Sequence, residues 1–256
     1  ARVRHPSPAN DNLSGLALLA LLGRYLAAVP RRWSYRFLFA PVTIGAITWL
    51  ARNEAQLARI RDGLVVTLVG DPGPPTYKRS RRGDARIDRA FAHVLRHAGP
   101  HTIEAFSPYG YDERQFCSPG FDLPVGCLMR TPHGRFPEYH TSADDLGFVR
   151  PAALADSLAR LLEALRVLEG DRRSRNLSPK GEPQLGRRGL YRALADRGAA
   201  GDREMALLWV LNLSDGEHGL LSIAERSGLR FDAIREAAAL LAEHGLLREI
   251  AEGEAA

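Results

Sequence analysis

The stretch Gly63-Leu-Val-Val-Thr-Leu-Val-Gly-Asp-Pro-Gly73 decides the fold. Leu64 to Val69 is a nearly continuous β-branched run with a glycine on either side. Such a run is typical of a strand that is buried on both faces in an α/β sheet. Asp71 follows this strand, where functional residues of open α/β sheets usually lie, but a turn aspartate before Pro72 fits the same sequence.

The segments around this strand alternate between helix and strand patterns. Trp33 to Ala40 is dense in aromatic and apolar residues and predicts a strand that Pro41 ends. Apolar residues at helical spacing predict helices at Leu16 to Val29, Thr43 to Arg61, Asp84 to His97 and Pro151 to Gly170. The order strand, helix, strand predicts the α/β class.

The chain divides by composition into two domains and a linker. Residues 1–172 form the predicted α/β domain, and residues 173–189, rich in Arg, Gly and Pro, form the predicted linker. Residues 190–256 carry three helical patterns and a final short strand, which is the outline of a winged helix.

The net charge of +5 comes mostly from arginine clusters, which can attract nucleic acid. The candidate recognition helix, Phe231 to His244, carries Asp232, Glu236 and Glu243 against Arg235 alone. Phosphate would repel this face, so we expect an interaction or structural module and no nucleic-acid partner.

No apolar run approaches the ~20 residues that span a bilayer, so we expect no membrane association. The chain has two cysteines, Cys117 and Cys127, which favour a reducing, cytoplasmic location; a single bridge between them is the alternative.

The loop His5-Pro-Ser-Pro-Ala-Asn-Asp-Asn-Leu-Ser-Gly15 places an imidazole and a carboxylate directly before a buried helix. These side chains on a fixed support indicate a metal site, although Asn10, Asp11 and Asn12 could instead cap the helix. Since the chain opens at Ala1, we expect that the strand preceding His5 is missing from it.

Residues 107–148 are rich in loops, which in a compact domain are usually functional. Here Glu138-Tyr-His-Thr-Ser-Ala-Asp-Asp145 offers His140 as a ligand, with Asp144 close enough to fix its tautomer. His93 and His97 lie four apart on a predicted helix, but no Glu follows His93 as in HExxH sites, so we interpret them as packing or surface residues.

Three long motifs in this order resemble the bimetallic zinc aminopeptidases, and in particular their bacterial aminopeptidase-like branch with a C-terminal winged helix. They are the loop 5–15, the stretch Gly70-Asp-Pro-Gly-Pro-Pro-Thr-Tyr-Lys-Arg-Ser-Arg-Arg-Gly83, and Asp112-Glu-Arg-Gln-Phe-Cys-Ser-Pro-Gly-Phe-Asp-Leu-Pro-Val-Gly126. The resemblance covers essentially the whole chain. It implies a three-layer α/β/α exopeptidase-like sheet domain, truncated at its N-terminus, followed by a small winged-helix domain.

The resemblance also implies a ligand set for zinc. Asp11 would bridge two ions, His5 and Asp71 would complete the first, and His140 would bind the second. Zinc ions in such a site activate a water and bind the amine and carbonyl of a peptide. Asp112 and Asp144 would contact the ligands without binding the metal. Tyr77, Lys78 and Arg79 would bind the substrate, and the resemblance leaves open which of its groups they would contact.

The superfamily has acidic residues directly after the strand that corresponds to residues 35–40, and this chain lacks them. The sequence there is Pro41-Val-Thr-Ile-Gly45, and Val42 can neither accept a proton nor bind metal. Glu113 or Glu138 is the candidate replacement for the general base. The site would hold two zinc ions if intact, and one or none if degenerate.

Three functions remain open at this stage. The first is a zinc hydrolase that cleaves an amide bond next to a free amine, in a peptide or an aminoacylated small molecule. The second is a degenerate relative that binds a ligand without turnover, for which Val42 is the evidence. The third is a DNA-associated regulator. A protein partner or a second copy of the chain could bind through the winged helix.

Overall fold

The computed structural model describes residues 2–3, 8–190 and 200–251 of the 256-residue chain. It divides into two compact units, residues 1–169 and 170–256. Each unit is described by itself.

The first unit begins with a pair of short strands and two helices. Strands β1 (Arg2–Val3) and β2 (Ala40–Pro41) pair in parallel, with Val3 opposite Pro41. Between them lies helix α1 (Gly15–Ala27), and after them come α2 (Ile44–Asn53) and a 3₁₀ turn, Glu54–Arg59. The helices lie where the apolar spacing predicts them.

The main sheet has four strands in the order β3-β6-β4-β5. They are β3 (Gly63–Val66), β4 (Thr76–Lys78), β5 (Thr102–Glu104) and β6 (Val125–Met129). β6 is parallel to β3 and antiparallel to β4, and β4 is parallel to β5. The predicted α/β class is confirmed, and the apolar piece 125–129 of the loop-rich segment is a fully buried inner strand.

Two predicted strands are shorter in the structure. β3 ends at Val66 because the chain leaves the extended conformation at Leu68, which has φ +49°. In the stretch predicted from Trp33 to Ala40, only Ala40 lies in a strand. Its aromatic residues act as anchors instead, since the Trp33 amide and the Tyr35 hydroxyl both donate to the Glu169 carboxylate. Burial and this carboxylate raise the pKa of Tyr35.

Three more helices complete the first unit: α3 (Arg86–Arg96), α4 (Glu113–Phe116) and α5 (Pro151–Gly170). One core cluster joins α2, the sheet and the loops around α4; it comprises Leu50, Leu57, Val65, Leu68, Tyr111, Cys117, Leu123, Val125, Cys127 and Met129. Neither cysteine in it forms a disulfide, so the alternative of a bridge is wrong. Burial raises the pKa of the Cys117 thiol.

The second unit is a winged helix. Its three-stranded antiparallel sheet has the order β8-β7-β9, built from β7 (Arg173–Asn176), β8 (Asp215–Gly219) and β9 (Leu247–Glu249). Its helices are α6 (Ala200–Leu213), α7 (Leu220–Ser227) and α8 (Phe231–Glu243).

The predicted linker is wrong at its start, because residues 173–176 form β7 in the middle of this sheet. Ser174 is buried, while the flanking arginines are partly exposed. The Arg-rich composition of this segment does not indicate such a strand. Across both units, none of the described helices combines the length and apolarity that crossing a membrane requires.

Candidate functional site

The turn that carries Asp11 is fixed to the end of β3 by buried polar side chains. The Asn12 amide donates to the carbonyl of Val66 over 3.3 Å, and the Ser14 hydroxyl accepts from the amide of Val69 over 3.2 Å. Asp11 itself has no exposed surface. Because this turn is buried, the side chains of Asn12 and Ser14 supply the hydrogen bonds that the Val66 carbonyl and the Val69 amide cannot obtain from water.

Asp144 also holds this turn. Its carboxylate accepts from the amides of Asn10 over 2.6 Å and Asp11 over 2.9 Å, and its side chain is buried. Its backbone carbonyl accepts from the amide of Ala9. The sequence predicts that Asp144 fixes the tautomer of His140, but in the structure its carboxylate holds the backbone of the turn that carries Asp11.

Asp11 and His140 meet, as the resemblance implies. The Nε2 atom of His140 lies 3.1 Å from Oδ2 of Asp11. Two ligands at ~2.0–2.1 Å from a tetrahedral zinc ion lie ~3.3 Å from each other. The pair therefore has the spacing of two zinc ligands and contains donor types that zinc prefers. Tyr139 stacks on the His140 ring, with 3.8 Å between centroids, and so restricts its orientation.

Asp71 is close to this turn, but its carboxylate is already saturated. Oδ1 accepts from the backbone amide of Gly73 and the hydroxyl of Thr131, and Oδ2 accepts from the side-chain amide of Asn10 over 3.1 Å. The amide of Thr131 approaches both oxygens at 3.2 Å. Two oxygens offer about four lone-pair positions, so a metal would have to displace these donors. This geometry favours the turn aspartate that holds Asn10 over the predicted zinc ligand.

The remaining predicted ligand, His5, lies outside the described residues. Within residues 8–190 and 200–251, no group of three or more His, Cys, Asp and Glu side chains is arranged to hold a metal. The described part of the chain thus supplies two adjacent donors, and any third protein ligand has to come from elsewhere or from a rearrangement.

Glu113 lies in a buried ion pair. Its Oε1 atom is 2.9 Å from Nζ of Lys78, and the exposed fractions of the two side chains are 0% and 5%. The ammonium group also donates to the carbonyl of Tyr109. A carboxylate that is neutralised in this way is a poor proton acceptor, which argues against the prediction that Glu113 is the general base.

The same burial argues against substrate contacts by Tyr77 and Lys78. Tyr77 has no exposed surface, stacks on Phe91 with 4.6 Å between centroids, and donates to Asp88. Burial and Asp88 raise its pKa well above the usual value. Arg79 donates to the carbonyl of Gly83 within its own loop. These residues stabilise the β4 region and are not part of the site that we propose.

Two other carboxylates that the sequence predicts for the site, Glu138 and Asp112, keep an oxygen that accepts no hydrogen bond from the described residues. Glu138, two residues before His140, makes no side-chain hydrogen bond to the described residues, although its carbonyl accepts from Thr141. Asp112 accepts from the backbone amide of Thr43 through Oδ1 over 2.9 Å. Asp112 therefore reaches the segment that follows β2, which includes Val42, the position at which the resemblance implies an acid.

An aromatic cluster beside His140 was missed by sequence reasoning. His133 packs against Tyr109, Tyr111 and Tyr139, with ring centroids 5.3, 5.2 and 6.2 Å apart. Tyr109 is 71% exposed, so the cluster reaches the surface. The only signal in the sequence is the density of Tyr and His in a long loop, which does not show that the rings meet.

Comparison with known families gives a matching family model for each of the two parts of the chain. Residues 1–171 match the model of a domain of unknown function, DUF4910, and residues 172–249 match a winged helix-turn-helix model. The first match covers more than half of the chain. The chain belongs to the DUF4910 family.

A longer relative shares both parts of this DUF4910 chain. It is a Clostridium acetobutylicum protein provisionally named a polysaccharide biosynthesis protein with an aminopeptidase-like domain, and it is 50% identical over 245 residues. The match covers 95% of this chain but 56% of the relative, so the chain spans about half the length of the curated relative it matches.

Solved structures show the fold of the DUF4910 chain. A C. acetobutylicum protein provisionally named a peptidase matches with a TM-score of 0.89 and 48% identity, over 96% of this chain and 55% of that one. The aminopeptidase of Aneurinibacillus sp. strain AM-1 matches at TM-score 0.54 and 20% identity, over 64% and 40%. A zinc aminopeptidase from Bacillus subtilis gives 0.54 and 18%, over 63% and 42%. The aminopeptidase-like fold and the winged helix are thus confirmed.

Proposed function

We propose that this chain carries the metal site of a zinc-dependent hydrolase that cleaves an amide bond next to a free amine. The observation that supports the proposal is the contact of 3.1 Å between Asp11 and His140, held in a buried turn. The zinc aminopeptidase from Bacillus subtilis has the same fold, which is consistent with this metal.

In the proposed site, Asp11 and His140 hold one zinc ion, and His5 is the further ligand that the sequence suggests. Bound zinc would polarise the scissile carbonyl and make the attacking water more acidic. Asp144 keeps Asp11 in place through two backbone hydrogen bonds, and Tyr139 fixes the imidazole of His140. Because Asp71 is saturated, we propose one ion as the minimum and do not assign a second.

The substrate is a peptide or a small molecule that carries an aminoacyl group. The name of the C. acetobutylicum relative connects that protein with polysaccharide biosynthesis, so an aminoacylated sugar belongs among the substrates to test. The thiols of Cys117 and Cys127, buried and not bridged, support a reducing, cytoplasmic location, which is part of the proposal. A protein partner or a second copy of the chain at the winged helix also stays a proposal.

The test is release of chromophore from aminoacyl nitroanilides after the chain has been loaded with zinc. We expect zinc-dependent release that Asp11→Asn abolishes, because the substitution removes a charged ligand. His97→Ala, which removes the histidine that directly follows α3, is the matched control and should leave the rate unchanged.

A binding protein without turnover is the second candidate, and Val42 favours it. It would bind zinc and an amino acid hydroxamate, lose both with His140→Ala, and release no chromophore from any aminoacyl substrate. A DNA-associated regulator would retard duplex DNA in a salt-dependent manner, which neither of the other candidates should do.

A further inference from the structure

We propose that Asp112 is the general base of the hydrolytic reaction, in place of the acid that is absent at Val42. This inference rests on the proposed function. Neither the family match nor the relatives assign a role to Asp112.

The position of Asp112 is defined by the backbone that follows β2. Thr43 has φ +62° and ψ −67°, and the amide of Ile44 donates to the carbonyl of Val42 over 2.7 Å, so Thr43 is the central residue of a γ-turn. The amide of Thr43 points to Oδ1 of Asp112, 2.9 Å away. Asp112 is therefore held beside Val42 by a contact with the next residue.

Two lines of contact connect this position with the metal-site turn. β2 is parallel to β1, so their carboxyl ends share one edge, and β1 contacts the turn Ala9–Ser14 that carries Asp11. On the other side Tyr111, the neighbour of Asp112, joins the aromatic cluster that leads through His133 and Tyr139 to His140.

The other carboxylates around the site already accept hydrogen bonds or form an ion pair. Asp144 binds the turn, Asp71 is saturated by four donors, and Glu113 is paired with Lys78. Of the carboxylates considered for the base, Asp112 and Glu138 each keep an oxygen that accepts no hydrogen bond from the described residues. The second oxygen of Glu113 accepts none either, but this side chain is fully buried and paired with Lys78. Asp112 is the better base on this geometry because the bond from Thr43 fixes its orientation, whereas no such bond fixes Glu138.

Asp112 can complete a balanced hydrolysis. Its free oxygen takes one proton from the attacking water while the water oxygen bonds to the acyl carbon. The carbon–nitrogen bond then breaks, and the proton passes from Asp112 to the leaving nitrogen. The carboxylate is regenerated, and no other reactant is required.

The decisive variant is Asp112→Asn, because the amide oxygen of asparagine can still accept from Thr43 while the proton acceptor is lost. We expect zinc-loaded Asp112→Asn to lose ~100–10,000-fold in kcat with little change in KM, and to lose the acidic limb of the pH profile. Its zinc content and affinity, measured by competition with a chelator, should equal those of the wild type. Glu138→Gln is the matched control and should retain turnover.

A second readout does not depend on turnover. The hydroxamate of leucine chelates zinc and can share its proton with a neighbouring carboxylate, so calorimetry should show at least ~10-fold weaker binding to Asp112→Asn. Full turnover in Asp112→Asn, a loss in Glu138→Gln instead, or loss of zinc from Asp112→Asn would each overturn the role of Asp112 as base. A wild-type chain without zinc-dependent hydrolysis would refute the proposed function itself, and the role of Asp112 with it.

Discussion

Asp144→Asn is the substitution that most sharply tests how the site is held. The carboxylate accepts two buried amides, those of Asn10 and Asp11. Asparagine keeps one acceptor oxygen, but its NH₂ group faces the other amide. A charge-assisted hydrogen bond is worth about 1.5–3 kcal/mol, and the remaining bond is weakened when the charge is lost. We therefore expect a loss of about 2–4 kcal/mol in the free energy of unfolding.

Asp145→Asn is the matched control for this variant. Asp145 also accepts two backbone amides, those of Gly147 and Phe148, but it is exposed to solvent. Its substitution should cost less than about 0.5 kcal/mol. Urea denaturation followed by tryptophan fluorescence measures both variants. Equal losses in Asp144→Asn and Asp145→Asn would refute the conclusion that a buried carboxylate fixes the turn. Zinc affinity should fall in Asp144→Asn alone.

Three further predictions concern packing and charge. Lys78→Met leaves the buried Glu113 unpaired and should cost about 3–5 kcal/mol in urea denaturation; a loss below about 1 kcal/mol would contradict the ion pair. In Gly126→Ala the new Cβ would overlap the Tyr77 hydroxyl, so we expect about 1–3 kcal/mol of destabilisation, while Gly120→Ala, with no atom within 4 Å, should be nearly neutral. Burial raises the pKa of Asp62 above 3.8, so its contribution to stability is present below that pH and lost as the pH rises through the raised value. Asp62→Asn should consequently gain stability relative to the wild type as the pH rises through the raised pKa, and a difference that is constant with pH would be inconsistent with this pKa.

The helices of the fold were predictable because they are long enough to repeat their apolar spacing. α1, α2, α3 and α5 lie where the periodicity places them. Strands β4 and β5 have three residues each, too few to show an alternation of apolar and polar side chains. β7 was hidden for another reason, since a strand rich in arginine has the composition of a linker.

The candidate site was predictable only as far as its motifs reach. The motif of the turn identifies Asp11, and the segment 138–145 identifies His140. The saturation of Asp71 by Thr131 joins residues that are 60 apart in sequence, and the bond from Thr43 to Asp112 spans 69. Contacts at this separation depend on the packing of the sheet, which no local pattern specifies.

The central claim is that Asp11 and His140 hold a zinc ion. Zinc analysis of the purified chain after reconstitution and removal of excess metal tests it most directly. We predict about one tightly bound zinc per chain, lost in folded Asp11→Asn and His140→Ala and retained in His97→Ala. A wild-type chain that takes up no zinc, or a His140→Ala variant that retains it, would contradict the claim.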